Sequence, residues 1–259
     1  MSYASRDSGG RLDYRDSLIE ENIGKISQII LVTGGKGGVG KSLIAATAAL
    51  MLSRASNRTG LLDLDLHGPS SCLLLGVEDN PVESGEGLVP PVVEGLKVMS
   101  IDLFSKGRPL PLTGQAKEEI VKEMLALTAF GRLDYLLVDM PPGTGDELLT
   151  ISKYVKRSGG AIVITTPTHL AVNVAGRLID ILRSASLKII GLVENMSTSD
   201  PESPTKELAR AKGVAFLGEI PFDPLLSSRS GRLGRDELLS TRFADALKHV
   251  LRNAGLSVD

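Results

Sequence analysis

The residues best suited to chemistry lie together near the start of the chain: Gly35, Lys36, Gly37, Gly38, Val39, Gly40, Lys41 and Ser42, read as GKGGVGKS. They satisfy the spacing G-x-x-x-x-G-K-[ST] of a loop that holds phosphate groups. Glycine is needed because the backbone must curl until successive N–H groups converge on phosphate oxygens, a path often closed to residues bearing Cβ. A helix starting at the end of the loop aims its positive end at the same anion. Lys41 is placed to reach the outer phosphates, and the Ser42 hydroxyl to ligate magnesium. Lys36 is a second cation on this short loop, where one lysine is enough for the nucleotide bound in its own subunit.

Acids follow at the ends of apolar runs. Asp63 and Asp65 stand in DLDLHGPS and Asp139 in LLVDMPPGTGD. Ligands of open α/β sheets gather at such strand ends. A carboxylate on the tip of a buried strand is costly unless compensated, so a metal ion is the economical reading of the set.

These groups need a frame. Strand-length apolar runs occur at 28–33, 60–65, 96–102, 134–140, 160–166, 187–195 and 214–220. Most are solid rather than alternating, as strands covered on both faces should be. Helical spacing fills 41–55, 115–130, 146–156, 170–185 and 204–212, and 241–255 reads as a closing amphipathic helix with Phe243, Leu247, Val250 and Leu251 on one side. The expected fold class is therefore α/β, a mostly parallel β-sheet with helices on both faces. Residues 1–24 read as a polar tail leading into a short helix, 25–259 as a single domain, and 76–95 as an irregular surface excursion rich in Gly, Pro and acids.

Composition narrows the partners. A formal net charge of -2 shows no global footprint for nucleic acid, and aromatics at 3% offer no stacking platform for single strands. The start of the chain has no long apolar core, so neither a signal peptide nor a membrane span is expected there. A single cysteine, Cys72, excludes an internal disulfide and suits a reducing compartment, which makes the cytoplasm the expected location.

The spacing K-G-G-x-G-K-[ST] resembles the deviant phosphate loop of the ATPase family that holds the partition proteins ParA and MinD, nitrogenase iron protein and the Mrp/ApbC-type iron-sulfur carriers. Further strings, DMPPGTGD, TTPTHLAV, LVENMS and LGEIPFDP, resemble the Mrp/ApbC branch over about residues 25–225. The resemblance implies a P-loop ATPase that works as a homodimer with ATP and magnesium. Lys36 would reach across the two-fold interface to the partner's ATP, which couples hydrolysis to dimerisation. Lys36, Lys41 and Asp65 would be catalytic, Asp65 orienting the attacking water. Ser42, Asp63, Asp65 and Asp139 would form the magnesium shell, Asp139 through water. Asn195 would bond the adenine edge, and the loop around Pro221 and Asp223 would close over the base.

The chain departs from that branch in one respect that bears on cargo. Cluster-carrying members place a C-x-x-C pair shortly after ENMS, whereas this chain continues STSDPESPTKELA. The implied role is thus an ATP-driven switch in iron-sulfur cluster assembly or transfer, working with client or scaffold proteins, and direct cluster binding is left open. A positioning or partition scaffold of the MinD/ParA kind is the alternative, with membrane or DNA as its output. Asn173 stands where many relatives carry aspartate. His67, His169 and His249 lack metal-ligand spacing. Arg229, Arg232 and Arg235 form a small basic stretch, read as a solvated loop.

Overall fold

The computed structural model describes residues 13–66, 68–105, 114–198, 202–224, 226 and 233–259. Residues 1–12, His67, Arg229 and Arg232 lie outside them.

The sheet grows from β1 (Ile26–Thr33), flanked by β7 (Leu133–Asp139) and β8 (Gly159–Thr165). Beyond β7 come β2 (Thr59–Asp63), β6 (Leu96–Ser100) and the two-residue β5 (Val92–Val93); beyond β8 come β9 (Lys188–Ser197) and β10 (Phe216–Pro221). Every pairing in this eight-stranded sheet is parallel except β5 with β6. All seven strands expected from the apolar runs are present within a few residues of their expected bounds.

Solid apolar runs are explained by cover on both faces. In β1, Ile29 and Leu31 pack on one side of the sheet, Ile30 and Val32 on the other. The first side is covered by α1 (Tyr14–Gly24), α5 (Gly114–Leu127), α6 (Asp146–Val155), α7 (His169–Ser184) and α8 (Pro204–Lys212). The second is covered by α2 (Lys41–Arg54), α3 (Ser71–Leu75), α9 (Arg235–Leu239) and α10 (Arg242–Asn253). Local chemistry sets the helix ends: in α8, Ser203 caps the first turn by accepting from Thr205 N–H, Pro204 opens the helix, and Gly213 closes it at φ 57°.

The short helix expected before residue 25 is present as α1, and it packs on the core: Ile19 and Ile23 are buried, and Asp16 accepts a 2.6 Å bond from the Tyr154 hydroxyl of α6. One expectation changes. The stretch 76–95 is not wholly irregular. It holds a hairpin of β3 (Val82–Ser84) and β4 (Gly87–Val89), turned through Gly85 and Glu86, and then β5. Strands of two or three residues beside prolines leave no periodicity to read. One more short helix, α4 (Asp102–Ser105), follows β6.

Candidate functional site

β1 sits where the sheet order reverses. Its chain continues through α2 to β2 on one side, while β7 continues through α6 to β8 on the other. The crevice at the carboxyl ends of such strands is where an open α/β sheet receives ligands. The loop 34–40 fills that position and leads straight into α2.

Its glycines have distinct reasons. Gly38 and Gly40 adopt φ 77° and 87°, a backbone that side chains strongly disfavour. A Cβ on Gly40 would also lie 2.3 Å from Asn195 Nδ2, and one on Gly35 would lie 2.6 Å from Val174 Cγ1 of α7. Gly37 and Gly38 face open space. Two contacts fix the loop from outside: Asn195 Nδ2 donates to Val39 O at 2.8 Å, and Gly143 N–H, from the loop after β7, donates to Gly34 O at 3.0 Å.

A cleft of about 460 Å³ opens over the loop. Gly37, Gly38, Gly40, Lys41, Ser42, Asp65, Asn195, Pro221 and Asp223 all line it, so the structure brings these residues of the expected set together. Gly35 and Val39 form the back of the loop; Val39 is buried, and neither reaches the cleft. Lys36 is exposed on the loop and does not line the cleft of its own subunit.

The three acids divide. Asp65 is half-buried in the cleft wall and accepts from Gly68 N–H at 3.2 Å. Asp63, expected in the metal shell, is held by the backbone of the loop after β2. It is fully buried, its Oδ1 accepts from Asp65 N–H and its Oδ2 from Ser70 and Ser71 N–H, at 3.0–3.1 Å. Its oxygens organise the loop after β2. Burial raises its pKa, against the pull of those backbone donors.

Asp139 is different. It is fully buried, and neither carboxylate oxygen has a hydrogen-bond partner of normal geometry. Burial first, then the charges of Asp63 and Asp65, push its pKa up to about 8, while Ser42 and Lys41 pull it the other way. A carboxylate held beside a hydroxyl and an ammonium with both oxygens unmatched is the donor set that a hard cation and its water satisfy. Ser42 and Asp139 thus fit magnesium on the geometry of this chain.

Sequence reading missed the apolar half of the cleft. Leu43, Leu73, Leu74, Met196, Leu226 and Phe243 line it. The available signal was the run CLLL directly after the acidic loop. Cys72, in the same run, is buried, and its thiol is pushed up to about 12 by that burial and by Asp63. His169, His249 and Asn173 are exposed on helices.

Residues 25–253 match the model of the ParA family, described as NUBPL iron-transfer P-loop NTPase. The chain belongs to this family. Among relatives of this P-loop NTPase, an iron-sulfur cluster carrier protein of Methanocaldococcus jannaschii is 34% identical over 95% of this chain and 90% of its own. The cytosolic Fe-S cluster assembly factor NUBP2 of Bos taurus is 39% identical over 83% of this chain and 86% of its own. A nucleotide-binding protein from Archaeoglobus fulgidus, solved in complex with ADP, superposes with a TM-score of 0.72 at 34% identity, covering 88% of this chain and 94% of its own. The cell division ATPase MinD of Pyrococcus furiosus shares the fold, with a TM-score of 0.65 at 19% identity over 88% of this chain and 98% of its own.

Proposed function

We propose that this P-loop NTPase binds ATP with magnesium in the cleft over residues 34–42, hydrolyses it as a homodimer, and serves cytoplasmic iron-sulfur cluster assembly or transfer. The observation that carries the ATPase reading is the orphaned, fully buried Asp139 carboxylate beneath Ser42 and Lys41. Among the described residues Ser42 and Lys41 offset that burial only in part, and a nucleotide-bound cation would complete the compensation.

Each residue then has a task. The backbone of residues 35–40 cradles the phosphates, and Lys41, itself buried, neutralises the outer ones. Ser42 and Asp139 hold magnesium, which supplies positive charge to the phosphate oxygens. Asp65, at the mouth of the cleft, orients the attacking water and takes up its proton. The apolar wall and the Pro221–Asp223 loop accept the base. Lys36, exposed and outside its own cleft, completes the partner subunit's site; a cation supplied at the moment of transfer lowers the barrier only once two subunits meet.

The client is proposed from the relatives named as carriers and assembly factors. Cys72 alone does not make a cluster site, because it is one buried thiol with no second cysteine in the sequence beside it. On this reading a partner supplies the cluster's sulfur ligands, and this chain contributes the nucleotide-driven step. The membrane form of a scaffold would need the apolar face of α10 free, yet Phe243, Leu247, Val250 and Leu251 are buried.

The test compares particle mass with ATP, with ADP and without nucleotide, and phosphate release with and without magnesium. An ATP-specific dimer with magnesium-dependent turnover supports the proposal. A protein that neither dimerises nor releases phosphate refutes it. The cluster role is tested by anaerobic transfer to an apo-acceptor from a cluster-bearing relative, with and without this chain and ATP; an unchanged transfer rate removes that client.

A further inference from the structure

Helix α3 stands between two clefts. Leu73 and Leu74 wall the nucleotide cleft on one side and, on the other, a second cleft of about 410 Å³. The helix has only five residues, too few to hold themselves by internal hydrogen bonds, so its position is set from outside. Its leading end hangs on Asp63, which accepts the N–H groups of Ser70 and Ser71. Its trailing end is held by Arg235, which lies 160 residues further along the chain: Nη1 donates to Leu75 O at 2.7 Å. The same guanidinium donates through Nε to Glu94 Oε1 at 2.7 Å.

Glu94 is itself well anchored. Its Oε2 accepts from Arg54 Nε at 2.7 Å, and its backbone carbonyl accepts from the Ser53 hydroxyl at 3.0 Å. Two arginines therefore share one carboxylate, but of these two Arg235 alone bonds to α3 among the described residues. The approach is close: a Cβ on Gly76, the residue that ends α3 at φ 62°, would lie 3.3 Å from Arg235 Nη1. Arg235 does not line the nucleotide cleft.

We propose that Arg235 is a positioning residue for nucleotide binding: its fork, braced by Glu94, clamps the end of α3 and sets where the Leu73–Leu74 wall stands against the phosphate loop. The inference rests on the ATP reading of that cleft. A basic stretch that reads from sequence as a solvated loop thus includes one arginine with a fixed task.

Arg54 provides the control, since it shares Glu94 and also bonds Asp236 but makes no hydrogen bond to α3 among the described residues. ADP affinity is measured by calorimetry, and amide exchange is followed over residues 71–77, for wild type, Arg235→Ala and Arg54→Ala. Arg235→Ala is expected to weaken ADP about tenfold and to speed exchange in that segment, with Arg54→Ala changing either by less than about twofold. Equal ADP affinity in wild type and Arg235→Ala, or an equal loss in Arg54→Ala, overturns the proposal. If Arg235→Ala does not fold, Arg235→Lys gives the same comparison, because it keeps the charge for Glu94 and loses the fork that also reaches Leu75. Wild-type protein that fails to bind ADP removes the nucleotide reading instead, and the exchange comparison alone then decides whether Arg235 holds α3.

Discussion

Replacing Asp139 by asparagine should make the nucleotide-free protein more stable while abolishing its activity. The wild-type carboxyl is raised from an ordinary 3.8 to about 8, so folding favours its protonated form. A raised pKa contributes stability that is complete below the unfolded value and lost as pH climbs through the folded one. The window therefore runs from about pH 4 to about pH 8. At about 1.4 kcal/mol per unit, the gap of roughly four units sets a ceiling near 6 kcal/mol. The remaining acid, Asp63, also ionises more easily once Asp139 is neutral, and an unpaired asparagine amide costs about 1–3 kcal/mol of its own. We expect near-equal stability of the two proteins at about pH 5 and an advantage of about 2 kcal/mol for Asp139→Asn at about pH 8. Urea unfolding at several pH values, with chelator and without nucleotide, measures both slopes. Magnesium-dependent phosphate release should fall at least about 100-fold in the same variant. A variant less stable than wild type at pH 8, or with the same dependence on pH, refutes the account of this carboxylate as an uncompensated charge.

Lys36→Ala should lose the ATP-dependent dimer, seen by light scattering, and at least about 100-fold in turnover, with ADP affinity in the monomer changed less than about threefold. Gly40→Ala meets both a disfavoured backbone and the Asn195 amide, and should cost about 1–3 kcal/mol in unfolding experiments and remove nucleotide binding. Gly37→Ala, with open space and no left-handed backbone, should stay within about 0.5 kcal/mol of wild type. Cys72 should resist alkylation in the native protein near neutral pH and react once urea exposes it; rapid native labelling would contradict its burial and raised pKa.

How much could be read from residues alone follows from what each feature depends on. The seven longer strands were legible because burial on two faces forces solid apolar runs, as in IILV of β1. The phosphate loop was legible because its requirement is local and backbone-driven, so glycine spacing carries it. The hairpin at 82–89 was not, since its partners are two short segments joined by a turn. Asp63 and Asp139 read alike in sequence, each an acid at the tip of a strand. What separates them is whether backbone N–H groups from the following loop curl back, which only the fold decides. The leucine wall was hidden for the same reason: CLLL fits a core helix as well as a cleft, and only the fold sends Cys72 and Leu75 to the core and Leu73 and Leu74 to the cleft.

Phe243, on the last helix, faces the cleft whose phosphate loop ends about two hundred residues earlier in the chain. During synthesis the loop and its first strand emerge long before that wall exists. A growing polypeptide thus lacks this part of the cleft wall until its last helix docks.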